Sequence, residues 1–526
     1  MDRSDRADNF AGSGGKTFRP WNPEQTLLLP PSPVEWLPAN HLVFFLLDLA
    51  AELDLSAIYA VYEARDPRGV KAYEPRMMVV LLLYAYCIGI PSSRRIERAC
   101  WEDAAFRVLT GNQQPDHSRI SDFRRRNLDA LKGLFVQILR LCQKAGMVSL
   151  GHVALDGTKV KANASKHKAM SHERMLRAEK QLAQEINALM RKAEILDAQE
   201  DRRYGKNNRG SDLPDELRRR QDRLERIRQA RKEMEAETAA AAARQRQEEA
   251  DQAKAEADAA KEAGAPAAEQ AELNKRAEAA AAKANAAREK AIEAAEEAGL
   301  EPPDLEPLAA EAMPRRGLAR KAEGTPTQKS QRNFTDPDSH LMKSDGHYIQ
   351  GYNCQLAVDN DHQVIVALGV SNQAPDVEHL EPMMQRIAAT AGALPDVLTA
   401  DAGYWSEANA KTCAEQGIDA YIATGRLAHG QPLPPKRGPM PKDADVKARM
   451  ARKLRSKAGS AIYAQRKAIV EPVNGQIKEA RGLRRFLLRG LEKVDGEWHL
   501  IAATHNLLKL FRHRQSQQQG MAMANG

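Results

Sequence analysis

Between residues 36 and 148 apolar positions recur every three or four residues, the spacing of a single buried helix face. The pattern runs through HLVFFLLDLAAELDL, through the uncharged stretch Met77–Ile90 between Pro75 and Pro91, and through LDALKGLFVQILRLCQKAG, where Gly146 marks a helix end. It predicts an all-helical N-terminal unit. A bilayer span takes about 20 apolar residues, so the uncharged stretch predicts a buried core helix instead. Within this unit PDHSRISDFRRRN predicts a short helix with Ser118 and Ser121 as candidate N-caps. Arg119, Arg124, Arg125 and Arg126 on it suit a phosphate backbone. A plainly solvated charged face explains them equally well.

The hydrophobic pattern turns β-like at 152–162 and again at 351–359, 363–371, 395–401 and 419–424. The pair at 351–371 is joined by Asn360-Asp361-His362 and reads as a hairpin. Helical spacing occupies 376–392, 406–417, 461–482 and 498–513, and residues 426–460 read as a basic loop. Between the first strand and the hairpin the composition changes. Met175, Leu182, Ile186, Leu189, Ala193 and Leu196 form a heptad seam, which Leu217, Leu224, Ile227 and Met234 continue after a break at Tyr204–Pro214. The seam suits pairing of two protomers or closure within one chain. Residues 236–300 are mostly Ala, Glu, Lys, Gln and Arg, strong helix formers interrupted at Gly264-Ala265-Pro266. They predict a helical hairpin, with a disordered charged tract as the other reading.

With the insertion removed, strands alternate with helices, which predicts an α/β core of mixed sheet and flanking helices. The expected organisation is a flexible N-terminus (1–35), a helical N-terminal domain (36–148), an α/β domain (149–168 and 334–514), a helical coiled-coil insertion with a basic linker (169–333) and a flexible tail (515–526).

Net charge is +8, which favours a polyanionic partner without fixing one. The five cysteines are dispersed with no CxxC pair, which argues against a disulfide framework or a structural zinc and for a reducing compartment. The polar start is not a signal peptide, so a cytoplasmic protein with no membrane contact is expected. His152, His499, His505 and His513 have no ligand spacing with Cys or Asp.

The candidate chemistry rests on three carboxylates. Asp156 in HVALDGTKVKA and Asp401 in DVLTADAGYWS each end an apolar strand and precede a glycine by one or two residues. Glu471 lies in YAQRKAIVEPVNGQIK, where Lys467, Glu471, Asn474 and Lys478 share one helical face. Pro472 is awkward there, so the helix either starts nearer Glu471 or kinks. Gly157 and Gly403 would let a phosphate backbone approach, and Asp376 reads as a helix N-cap. Strand-end aspartates bind ligands at the carboxyl edge of an open sheet, and hard divalent cations take oxygen ligands. Taken singly, each carboxylate is a turn residue, a cap or an exposed ion pair worth about 0–1 kcal/mol; the set together is what two-metal phosphoryl transfer requires. Asp, Asp and Glu in this order, on first strand, later strand and late helix, are the metal-ligand order of a ribonuclease-H-like fold.

These segments resemble the DDE transposases of bacterial insertion sequences, specifically the class with an InsH-like helical N-terminal domain. The resemblance runs from HLVFFLLDLAAELDL through ALDGTKVKANASKHK, DPDSHLMKSDGHYIQGYNCQLAVD and ADAGYWSEAN to RKAIVEPVNGQIKEARGLRRFLLRG. It implies that Asp156, Asp401 and Glu471 are the catalytic, metal-binding triad, accompanied by Tyr463, Arg466 and Lys478 at DNA. Four residues separate Arg466 from Glu471 where the related signature has three, which leaves Arg466 and Lys467 as alternatives for the phosphate contact. It further implies two Mg²⁺ ions, with Mn²⁺ as a substitute, and cleavage and joining of double-stranded DNA at terminal inverted repeats and target by a homodimer at the bacterial nucleoid. Arg119, Arg124 and Arg125, with basic stretches at 436–457 and 481–489, would hold the DNA. A nuclease without strand transfer and a domesticated, non-catalytic DNA-binding protein are the alternatives. The alanine-rich insertion has no counterpart in the resemblance.

Overall fold

The computed structural model describes residues 33–63, 72–204, 215–306, 309–344, 346–425 and 443–524. Helices α1 (Leu42–Glu52), α2 (Ser56–Glu63), α3 (Pro75–Cys87), α4 (Ser93–Glu102), α5 (Ala104–Leu109), α6 (His117–Arg126) and α7 (Leu128–Lys144) build the N-terminal unit. The uncharged stretch is α3, buried from Met78 to Cys87. Among the described residues no helix is long and apolar enough to cross a membrane. All five cysteines are buried and unpaired. Two local expectations change in α6. Its N-cap is Asp116, which accepts from the amides of Ser118 and Arg119, so Ser118 and Ser121 lie inside the helix. Arg124 points inward and is 4% exposed.

The chain continues as β1 (His152–Lys161) and β2 (Ala169–Ser171), then α8 (His172–Tyr204), α9 (Asp215–Glu262) and α10 (Ala267–Glu297), and returns through β3 (Gln331–Asn333), β4 (His340–Ser344), β5 (His347–Asp359) and β6 (Ile365–Ser371). It closes with α11 (Leu380–Ala391), β7 (Val397–Ala400), α12 (Glu407–Glu415), β8 (Asp419–Ile422), α13 (Val446–Arg455), α14 (Lys457–Gly475) and α15 (Leu491–Ala524). The main sheet is ordered β6-β5-β1-β7-β8, with β4 beside the first half of β5. Strands β1, β7 and β8 are parallel, and β5 runs against β1, β4 and β6. This is the mixed, ribonuclease-H-like sheet that the order of elements predicts. Strands β2, β3 and β4 are additions; the sequence pattern marks none of them.

One apolar core runs from α1, α3 and α7 through α15 into the sheet. α15 carries the join. Trp498 is fully buried and its Nε1 donates to the Gln355 carbonyl, while the Asn506 amide bonds both the N–H and the C=O of Ile365. That amide satisfies groups that β6, as an edge strand, would otherwise leave unpaired.

The insertion is helical, as expected, and α9 and α10 form the anticipated hairpin around Gly264-Ala265-Pro266. Alanines 239, 243 and 291 pack between them. The heptad seam closes inside the chain: Met175, Leu182 and Ile186 of α8 pack on Leu217, Leu224, Ile227 and Met234 of α9. Burying such a side chain stabilises by about 1.5–3 kcal/mol, so these seam residues are spent internally. The side chains of Ala193 and Leu196, and the break that runs to Pro214, lie outside the described residues, as do the N-terminus before Pro33 and the 426–442 stretch. The rest of the anticipated basic loop contains α13, capped by Asp445 on the Ala448 amide.

Candidate active site

The parallel pairing of β1 with β7 matches His152 to Val397 and Ala154 to Thr399. Continued by two residues, the same register sets Asp156 opposite Asp401, just past the end of β7. Neighbouring strands lie about 4.8 Å apart, so two carboxylates far apart in sequence meet at the carboxyl edge of the sheet. Asp401 takes the N-cap position of a short 3₁₀ turn, its Oδ1 accepting from the Gly403 amide at 2.8 Å.

α14 crosses this edge. Asn474 Nδ2 donates to Asp156 Oδ2 at 2.7 Å, and the Arg466 guanidinium lies 3.6 Å from Asp156 Oδ1. Arg466 also lies 5.8 Å from the Tyr463 ring centre. Lys478 Nζ donates to the Lys159 carbonyl at 3.0 Å. Burial pushes the Asp156 carboxyl up to about 6; Asp401 and Asp376 add to the rise, against the pull of Arg466 and the Asn474 hydrogen bond.

The helix passes through Pro472 without restarting, so the later start is excluded. Proline cannot bond the carbonyl four residues back. That carbonyl, of Ala468, instead accepts from Gln363 Nε2 at 2.9 Å. A π-helical turn follows over Gln476–Ala480.

The shared face of Lys467, Glu471, Asn474 and Lys478 divides. Asn474 and Lys478 reach β1, whereas Lys467 and Glu471 are exposed. Between the two alternatives Arg466 and Lys467, it is Arg466 that faces Asp156. Among the described residues no three His, Cys, Asp or Glu side chains stand close enough to hold a metal ion together. Glu471 is one helical turn before Asn474, and side chains so spaced have Cβ atoms about 5–6 Å apart. It therefore borders the pair of aspartates without joining it.

A further acid lies near enough to act on Asp156 through its charge. Asp376 precedes a 3₁₀ turn, but its side chain makes no capping bond. Its Oδ1 accepts from Asn353 Nδ2 at 2.7 Å and Gln355 Nε2 at 2.8 Å, and lies 3.3 Å from Lys159 Nζ. Gln355 in turn accepts from the buried Tyr404 hydroxyl. A Cβ on Gly157 would come within 2.6 Å of Asp376 Oδ1 and of Gln355 Nε2, and one on Gly403 within 3.2 Å of Asp376 Oδ2. Both glycines thus make room for the protein's own carboxylates, where the sequence suggested room for phosphate. Asp376 looked like a cap because an acid before a helix usually is one. The available signal was Asn353 and Gln355, two polar residues facing one way in an otherwise apolar strand; both are fully buried.

Asp401 and Asp376 are the acids about Asp156, and carboxylate oxygens are what a hard divalent cation takes; the Asn474 amide nitrogen and the Arg466 guanidinium also face Asp156, and the three acids do not close into a metal-holding cluster among the described residues.

The predicted N-terminal arginines separate. Arg119 and Arg125 are exposed beside Asp116 and Asp122. Arg124 is withdrawn from solvent, its Nη1 donating to the Tyr86 hydroxyl at 2.8 Å and the Pro91 carbonyl at 2.9 Å, and so lies away from any DNA-facing surface.

Residues 321–507 match the family model described as Transposase DDE domain, and residues 32–126 match the model described as Transposase domain (DUF772). No curated protein and no solved structure matches the chain. The first match starts in the linker after α10 and so omits β1, the strand that carries Asp156 and occupies the middle of the sheet.

Proposed function

We propose that this chain, which carries a DDE transposase domain behind an N-terminal transposase domain, cleaves DNA at the 3′ ends of a mobile element and joins those ends to target DNA. The observation that carries the reading is that Asp156, midway along β1, lies beside Asp401, just past the end of the parallel strand β7. Asp156, Asp401 and Glu471 are the proposed catalytic carboxylates and the holders of divalent metal. Glu471 is exposed and would have to turn toward the two aspartates to join them. Two Mg²⁺ ions, when bound, would activate the attacking oxygen and stabilise the leaving one.

The chain's own groups do the positioning. Arg466 balances Asp156 and, with Tyr463, borders the place a scissile phosphate must occupy. Lys467 and Lys478 flank it along α14 as phosphate contacts. Lys159 is held against Asp376, which keeps a cation beside the acids. Arg119 and Arg125 offer a second, exposed contact surface on α6, which suits a transposase whose N-terminal unit grips the element end. The reading takes a homodimer as the working DNA complex, because two ends must be cut and joined.

The test uses purified full-length protein with labelled element-end duplexes, followed by pre-cleaved ends offered to a target plasmid. Asp401→Asn and Glu471→Gln should each reduce cleavage to background while end binding persists. Cleavage surviving in either variant removes that residue from the triad. Cleavage without joining of pre-cleaved ends would favour the nuclease alternative, and binding without either activity the non-catalytic one.

A further inference from the structure

At the root of the insertion, where β2 and β3 pair beneath α8 and α9, lies an open cleft of about 1480 Å³. Small-molecule pockets run to about 300–1,000 Å³ and are mostly apolar; this one is larger and its rim is cationic. Arg219, Arg223 and Arg226 stand on α9 at steps of four and three, which puts them on one face. Lys168 and Arg174 face them from the chain leading into α8, and the half-exposed Phe334 lies on the wall. All five of these cations are exposed, and none has an ion-pair partner among the described residues. Asp222 and Glu225 are the acids on the rim; Glu233 is already paired with Arg332 in the floor.

The floor is fixed. Arg332 of β3 makes 2.8 Å ion pairs to both Glu233 and Glu237, and His172 meets Glu235. These contacts hold α9 against the short sheet, so the arginine face is presented at a set distance from the core.

The cleft also connects to the catalytic edge. After Asp156, β1 runs to Lys161, about five residues or roughly 16 Å in a strand. Lys161 exchanges backbone hydrogen bonds with the 484–486 segment, and Arg489 Nε donates to the Asn163 carbonyl at 3.0 Å. Exposed Lys161, Arg485 and Arg489 therefore lead to Lys166 and Lys168, and from there to Arg174 and the α9 arginines. A solvated helix face would explain the α9 residues alone. It does not explain five unpaired cations converging on a concave surface at the end of a basic path from the acids.

We propose that this cleft binds the sugar–phosphate backbone of duplex DNA, as a second contact on the molecule whose scissile phosphate lies at Asp156 and Asp401. The inference rests on the DNA-cleaving reading above, and it gives the insertion a role: α9 acts as an arm that grips DNA away from the cut.

The experiment measures anisotropy of a fluorescent 40-base-pair duplex titrated with the full chain across a range of salt. The wild type is compared with the triple variant Arg219→Ala/Arg223→Ala/Arg226→Ala. Each lost phosphate contact lowers the slope of log K against log salt by about 0.9, so the triple variant should lose about 2.7 from its slope and bind more than ten-fold more weakly in low salt. The corresponding triple lysine variant should keep both. Because these side chains are exposed, circular dichroism should show both variants folded. An unchanged slope with affinity within two-fold of wild type overturns the cleft, as does equal weakening in the lysine variant. The underlying reading fails separately: a wild type that never cuts element-end duplexes, with the triple variant still losing the predicted slope, would sink the cleavage reading and leave the cleft standing.

Discussion

Replacing Arg124 with Met should destabilise the protein's helical unit rather than merely loosen its hold on DNA. The guanidinium donates to the Tyr86 hydroxyl at 2.8 Å and to the Pro91 carbonyl at 2.9 Å, in a site where Arg124 is 4% and Glu497 2% exposed. Tyr86 passes a hydrogen bond on to Glu497, which also accepts the amides of Leu487 and Leu488. Without Arg124 the Glu497 carboxylate stays buried and loses the cation that reaches it through Tyr86. Leaving a buried charge without its partner costs about 3–5 kcal/mol, a large share of the roughly 5–15 kcal/mol that holds a domain folded. Urea unfolding followed by tryptophan fluorescence measures it, with the slope against urea expected to stay constant. Arg125→Met is the control: its pair with Asp122 is solvent-exposed and worth about 0–1 kcal/mol. Burial already raises the Glu497 carboxyl, and Arg124 is the first of the groups that lower it. In the Met variant the folded state therefore binds its proton more tightly than the unfolded chain does. Stability then falls as pH rises from the ordinary glutamate range through the raised folded value, and the deficit shrinks in acid. A loss below 1 kcal/mol, or one equal to that of Arg125→Met, would refute the buried-pair account and return Arg124 to the candidate DNA contacts.

Gly157→Ala should cost about 1–3 kcal/mol of stability by the overpacking at Asp376 and Gln355 and should depress cleavage with end binding retained; full cleavage would show that Asp376 has no bearing on the site. Ile186→Ala should destabilise by about 2–5 kcal/mol without moving the protein's elution on gel filtration, since the seam closes within one chain; dissociation of a dimer would reverse that reading. Lys478→Ala should weaken end binding and lower the salt slope by about 0.9, and an unaltered slope would remove Lys478 from the phosphate contacts.

The hydrophobic periods of the chain determined most of its elements, because burial on one face of a helix or strand imposes a repeat that a local window reveals. So α3, α7, the β5–β6 hairpin and the α9–α10 hairpin stand close to where the pattern puts them. That Asp156 and Asp401 lie near one another was legible for a related reason: each ends an apolar run, where the buried part of its chain segment gives way to polar residues. What the pattern could not hold was partnership across sequence distance. Arg124 and Arg125 are adjacent and alike, yet a tyrosine on α3 and a glutamate on α15 draw one inward and leave the other in water. Asp376 resembles a cap until Asn353 and Gln355 arrive beside it from β5. The heptad seam specifies a partner without saying which, and chain connectivity supplied α9 before a second protomer was needed. Periodicity is a property of one segment and is written in it; the choice among chemically equal neighbours depends on which distant groups the packed sheet and α15 bring within hydrogen-bonding reach, and only the tertiary structure makes that choice.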